Sequence, residues 1–257
     1  MNDRNNVLST KTEGHALWIT INRPNVRNAI NFQVMEELEK KVSMVEKDQN
    51  IRVLVLKGSG NRSFISGGDL SSFHQLKTMD EAESMARRMQ QILERIEKLP
   101  CWTIACINGD AYGGGCEIAL AFDFRISFPA VTLGFTQSKF NLPPGWGGLT
   151  RLIAQVGRSK ALMWLASAEK VSGQKAYDHN FLDELTPHPE LERRCMAWAK
   201  ELSYNDRDFI SNLKEKAFNY EHHRWQSIED ETEEFAHFWA QPEHFKRVEN
   251  FVERKKR

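Results

Sequence analysis

Apolar and polar residues along the first half of the chain alternate between two periods. Ala16 to Asn22 (ALWITIN) puts Leu17, Ile19 and Ile21 on one face of a two-residue repeat, which predicts a strand. Asn31 stands where it could cap a helix, and Met35, Leu38, Val42 and Val45 then recur at three- and four-residue steps as one apolar stripe. Ile51 to Lys57 (IRVLVLK) reads as a second strand, ended by Gly58 to Gly60. Met85, Met89, Ile92, Ile96 and Leu99 form another helical stripe, stopped by Pro100. Thr103 to Asn108 (TIACIN) and Asp123 to Phe128 (DFRISF) read as further strands. Strands alternating with helices predict an α/β layered fold.

Asn141 to Gly148 (NLPPGWGG) is a turn rich in proline and glycine, and helical patterns dominate after it. Thr186-Pro187-His188-Pro189 reads as a boundary. The expected division is therefore a core over residues 1–186 and a helical region over 187–257. The last stripe of that region, Phe245, Val248 and Val252, is too thin to enclose a core. It is predicted to pack on the main body or on another subunit.

Composition narrows the picture by exclusion. A chain of 257 residues is long enough for one large domain or a domain with an appendage. The formal net charge of +0 gives no global attraction to nucleic acid or to a membrane surface. Met1 to Lys11 is polar and does not read as a secretory leader, and no apolar run approaches membrane-spanning length. Cys101, Cys106, Cys116 and Cys195 lack CxxC spacing and read as buried free thiols of a reducing, cytoplasmic compartment rather than a zinc site. His222-His223 and the other histidines show no HExxH spacing, so they read as a solvated helix face and no metal is expected.

Two glycine-rich turns carry the candidate chemistry. Each leads from a strand pattern into a helix pattern, and each ends in a carboxylate: Ser66-Gly67-Gly68-Asp69 and Gly113-Gly114-Gly115-Cys116-Glu117. Glycine lets backbone approach a ligand closely, and a helix N-terminus offers unpaired N–H groups with partial positive charge. Two such ends could hold one negative oxygen between the N–H groups of Gly68 and Gly114. If Gly114 opens its helix, Glu117 falls on the same face about a turn deeper, so donor and carboxylate would face one cavity. Burial there would raise the pKa of Glu117 toward a useful range. Asp69 reads as a partner of its helix dipole. The bland alternative is that both turns merely close tight connections. The phosphate-loop, dinucleotide and GxSxG patterns are absent.

These residues, in this order, resemble the crotonase family, also called the enoyl-CoA hydratase/isomerase family. Asn22 to Asn28 looks like its N-terminal signature, Phe64 to Leu70 like its first oxyanion segment, Ile107 to Glu117 like its second, and Pro144 to Arg151 like the turn and helix that follow. The resemblance implies a spiral of ββα units, a C-terminal helical trimerisation region and trimers often paired into hexamers. It implies an acyl-CoA thioester substrate of fatty acid metabolism, with no cofactor beyond the coenzyme A that the substrate carries. The shared step is stabilisation of a thioester enolate by two N–H groups, here those of Gly68 and Gly114, with Glu117 as acid or base. Val26, Arg27, Ser66, Asp69, Leu70, Gln137 and Trp146 fall at substrate- or CoA-binding positions. For Arg27 a surface salt bridge is the alternative.

Hydratases of the family use a second glutamate, and its position is Gln137 here. An amide cannot exchange a proton at ordinary pH, although it can orient a water or a carboxylate. Asp110 stands where many relatives carry an aromatic or small residue, so its role is open. The Ser-Gly-Gly-Asp turn, Asp123-Phe124-Arg125 and the Trp146 turn are similar to the ethylmalonyl-CoA decarboxylase branch, and Trp146 could either narrow the acyl pocket or pack under its turn. The expected function is thus an acyl-CoA lyase or isomerase. A malonyl-type decarboxylase and a non-catalytic acyl-CoA-binding or scaffold protein are the alternatives. The closing run Arg254 to Arg257 reads either as a solvated end or as a contact for CoA phosphates.

Overall fold

Residues 7–220 and 224–256 are described by the computed structural model. His222-His223, the first six residues and Arg257 lie outside them. Strand β1 (Leu8–Glu13) turns at Gly14 into β2 (Ala16–Ile21), and the two pair antiparallel. β3 (Val53–Gly58), β5 (Trp102–Cys106), β7 (Phe124–Ser127) and β10 (Glu184–Leu185) then add in parallel, giving the order β1-β2-β3-β5-β7-β10. The sheet is buried on both faces, so IRVLVLK is a nearly unbroken apolar run rather than an alternating one. Leu54 and Leu56 face the large core with Leu17, Ile19 and Ile21, while Val53 and Val55 face a smaller one with Trp18 and Ile104.

Helices α1 (Phe32–Lys47) and α3 (Met79–Glu97) cover the large core. The cap foreseen at Asn31 is present, its side chain accepting from the Val34 N–H at 3.0 Å. The strand ends differ from expectation where side chains take over from the ladder. Asp123 precedes β7 because its carboxylate accepts from the Thr103 N–H at 2.8 Å and hydroxyl at 2.9 Å. Asn108 lies beyond β5 because its amide is spent on the Gly58 backbone. All four cysteines are free and buried.

A second sheet positions the site. β4 (Ser63–Ile65), β6 (Asp110–Tyr112), β8 (Thr132–Gly134) and β9 (Val171–Ser172) pair in that order. β4 and β6 are parallel neighbours. β4 runs into the first glycine turn and the short α2 (Leu70–Phe73); β6 runs into the second and α4 (Gly114–Leu120). The two turns therefore leave the same end of one sheet, side by side. Asp110 staples this sheet, accepting from the Thr132 N–H at 3.0 Å and the Tyr112 hydroxyl at 3.2 Å.

The remaining helices are α5 (Gly148–Val156), α6 (Arg158–Ser167), α7 (Gly173–Asp178), α8 (Leu191–Leu202), α9 (Arg207–Tyr220), α10 (Arg224–Trp239) and α11 (Pro242–Lys256). They fold back onto the body of the same chain. α8 closes the smaller core with Leu191, Cys195 and Ala199. α10 docks on α3 through a Thr232 hydroxyl that donates to Gln90 at 2.8 Å. α11 leans on residues 137–140, with His244 bonded to the Phe140 carbonyl at 2.9 Å.

Candidate active site

In each glycine turn one glycine is more exposed than the residues on either side of it. Gly68 is half-buried between buried Gly67 and Asp69, and Gly114 is half-buried between buried Gly113 and Gly115. Gly67 and Gly113 take positive φ, +99° and +52°, which aims the following residue outward from the tight turn. The turns touch: a Cβ built on Gly67 would stand 3.3 Å from the Gly114 nitrogen. Among the described residues, no acceptor takes the N–H of Gly68 or of Gly114. Both glycines face the indole of Trp146, whose Cζ3 would lie 2.1 Å from a Cβ on Gly114 and whose Cη2 would lie 3.8 Å from one on Gly68.

Glu117 is one turn into α4 and 3% exposed. Its Oε1 accepts from the Gln137 amide at 2.8 Å; its Oε2 accepts from the N–H groups of Trp146 at 2.8 Å and Gly148 at 3.0 Å. Burial pushes the carboxyl up to about 7 against those three hydrogen bonds, because desolvation penalises the charged form more than the donors favour it. Gln137 is buried too, and its Oε1 has no hydrogen-bond partner among the described residues. Behind the turn, the buried Arg151 donates to the Trp146 carbonyl at 2.6 Å and pairs with Glu97 at 2.6 Å.

An open cleft of 1180 Å³ leads to the turns. Val26, Arg27, Ser66, Gly68, Asp69 and Leu70 line it. Arg27 is exposed and makes no ion pair among the described residues, so the surface salt bridge is not formed there. Asp69 caps α2 through the Ser72 N–H and pairs with Arg23 at 2.9 Å. Gly114 adjoins Gly67 beside that cleft, and Glu117, Gln137 and Trp146 are buried behind it. The two Glu117 oxygens accept from Gln137 and from the 144–148 turn. Lys139, Lys170, Arg247 and Arg254 line the cleft with Arg27, and the sequence signalled only the last of them. The side chains of Lys255 and Lys256, like Arg257, lie outside what is described.

The sequence profile of the Enoyl-CoA hydratase/isomerase family matches residues 11–257. The chain belongs to that family. Relatives include the short-chain-enoyl-CoA hydratase of Clostridium acetobutylicum, 32% identical over 77% of this chain and 74% of that one. They also include the ethylmalonyl-CoA decarboxylase of Xenopus laevis, 35% identical over 68% of this chain and 58% of its own length. Among solved structures, the enoyl-CoA hydratase from Bacillus anthracis superposes with a TM-score of 0.81 at 26% identity, covering 97% of each chain. The protein is thus an acyl-CoA enzyme of the crotonase superfamily with the mixed α/β fold of that group. Among the described residues no group of three or more His, Cys, Asp or Glu could hold a metal ion, and no helix is long and apolar enough to cross a membrane.

Proposed function

We propose that the protein is an acyl-CoA lyase or isomerase that stabilises a thioester enolate between the N–H groups of Gly68 and Gly114, with Glu117 moving the proton. The observation that carries this reading is the pair of adjacent turns in which those two glycines are more exposed than the residues on either side, each with an unclaimed N–H. Donors fixed before the charge develops stabilise it without reorganisation, and losing one costs ~3–4 kcal/mol. A carboxyl held near 7 can both give and take a proton at neutral pH. The cations along the cleft, Arg27 and Arg254 among them, suit the polyanionic end of coenzyme A. The trimer or hexamer and the cytoplasmic setting expected from the sequence belong to the same reading.

A second reading, decarboxylation of a malonyl-type thioester, is favoured by Gln137. Hydration asks for two acids, and here the second is an amide that donates to the first at 2.8 Å. Decarboxylation asks for one. The electron pair of the breaking C–C bond enters the thioester as an enolate, CO₂ leaves, and Cα then takes a proton from Glu117.

Parallel assays with crotonyl-CoA and ethylmalonyl-CoA decide between the two, run on the wild type, Glu117→Gln and Gly114→Pro. Turnover of one thioester that falls ~10²-fold or more in each variant is expected. Undiminished turnover in both variants would refute the roles given to these residues, and binding of both thioesters without turnover would make the chain a binding protein.

A further inference from the structure

The turn that holds Glu117 is itself held from behind by α10. Ile228, Glu231 and Phe235 recur at three- and four-residue steps along one face of that helix. The Phe235 ring fills the space before Gly145, standing 2.4 Å from where a Cβ would be, and Ile228 lies against Gly147 in the same way at 2.9 Å. Between them Glu231 accepts from the N–H groups of Leu149 at 3.0 Å and Thr150 at 2.6 Å. The first N–H groups of a helix have no partner within it, and their positive end favours a carboxylate. The start of α5 divides these donors between two acids: Gly148 goes to Glu117, Leu149 and Thr150 to Glu231. Both acids are buried, 3% and 8% exposed.

We propose that Glu231 is a positioning residue for Glu117: it fixes the first turn of α5 so that the Trp146 and Gly148 N–H groups meet on one oxygen of Glu117, and it sets the charge Glu117 feels from behind. The proposal rests on the acid/base role given to Glu117 above. The groups that face Glu117 are few. Gln137 reaches it from the segment after β8, Arg151 acts from α5, Glu231 from α10, and Cys116 adjoins it on α4. Glu97 of α3 is engaged by Arg151. Of the charged groups, Arg151 favours the carboxylate form of Glu117 and Glu231 opposes it. Burial raises the Glu231 carboxyl as well, against its bonds to Thr150 and Leu149.

The deciding experiment titrates Glu117 directly. Infrared difference spectra of its protonated carboxyl, referenced to Glu117→Gln, are followed against pH in the wild type and in Glu231→Gln, which keeps one acceptor oxygen and loses the charge. The midpoint of Glu117 is expected to move to lower pH in Glu231→Gln, and the pH profile of turnover to move with it. Glu231→Ala, which frees the start of α5, is expected to lose roughly tenfold to a hundredfold in kcat with little change in KM. An unmoved midpoint in Glu231→Gln, with kcat unchanged in both variants, overturns the proposal. A moved midpoint in a protein that turns over no thioester supports the positioning role while refuting the reaction.

Discussion

The two glycine turns leave neighbouring parallel strands and meet under one indole, yet they are held by opposite means. The first is stapled from the outside. Its backbone bridges to Ile30 on both sides, with Ile30 donating to the Gly67 carbonyl at 2.9 Å and Asp69 donating to the Ile30 carbonyl at 2.7 Å. Asp69 caps a helix of only four residues and pairs with Arg23. The second is clamped from the inside. A Cβ on Gly115 would stand 2.0 Å from the Ile65 carbonyl oxygen, Gly114 lies under Trp146, and Glu117 is pinned by three donors from segments 20 to 31 residues away. A turn nearer the surface can be set by hydrogen bonds to its flanks, here from Ile30 and from Arg23, the latter 46 residues away. A buried turn takes its geometry from packing supplied by distant parts of the chain.

The sharpest way to break this comparison is to add one methyl group to each turn. At Gly114 it would overlap Trp146 Cζ3 at 2.1 Å; at Gly68 it would meet the Phe73 ring edge at 3.1 Å. Phe73 can yield by a few tenths of an ångström, but the Trp146 ring is buried in the core and would have to give far more. Gly114→Ala is expected to lower kcat on the acyl-CoA that the protein turns over by ~10²–10³-fold, the scale of a lost oxyanion donor. Gly68→Ala keeps its N–H and is expected to cost less than about tenfold by the same measure. Trimming the indole in Gly114→Ala/Trp146→Leu should recover part of the loss. Equal damage from the two single substitutions in steady-state kinetics would remove the distinction between a stapled turn and a clamped one.

The same contrast governs what the sequence discloses. The two-residue and 3.6-residue periods place β2, β3, α1 and α3 because burial of one face is a local pattern. The glycine turns are legible because the glycines whose positive φ opens them stand together in the sequence. Gln137 is legible only through the family resemblance, since its bond to Glu117 spans 20 residues. Glu231 is not legible at all. It stands among Glu229, Asp230, Glu233 and Glu234 on one acidic helix, and only the packing of α10 on the 145–150 segment selects it for burial. Arg151 is hidden for a similar reason: an arginine in an amphipathic helix reads as surface until its Glu97 partner arrives from α3. Asp110, whose role the sequence leaves open, is a staple between β6 and β8.

The inner turn should also carry a pH signature. Glu117 stands at about 7 in the folded chain against an ordinary 4.5. The native state therefore holds a proton between those values that the unfolded chain has released. Stability falls as pH rises wherever the native state binds more protons. The wild type should lose stability relative to Glu117→Gln from pH 4.5 to 7, by roughly 3 kcal/mol across the window, and hold level above it. Denaturant unfolding of the two proteins at matched pH values measures this. A wild type that gains on the variant as pH rises would mean that Glu117 is ionised throughout, its three donors outweighing its burial.

The outer turn should respond more weakly and in another quantity. Asn caps a helix as well as Asp does, so Asp69→Asn keeps the bond to Ser72 and removes only the charge that Arg23 meets. The pair is partly exposed, 17% and 11% on its two side chains, which places its worth near about 1 kcal/mol and the fall in Tm near about 2–4 °C. Asp69 and Leu70 line the cleft, whereas Glu117 is buried. The substitution should therefore raise KM for the acyl-CoA and leave kcat and its pH profile in place. A displaced pH profile in Asp69→Asn would show that the staple reaches Glu117 through the contact between the turns, and the two would then have to be treated as one unit.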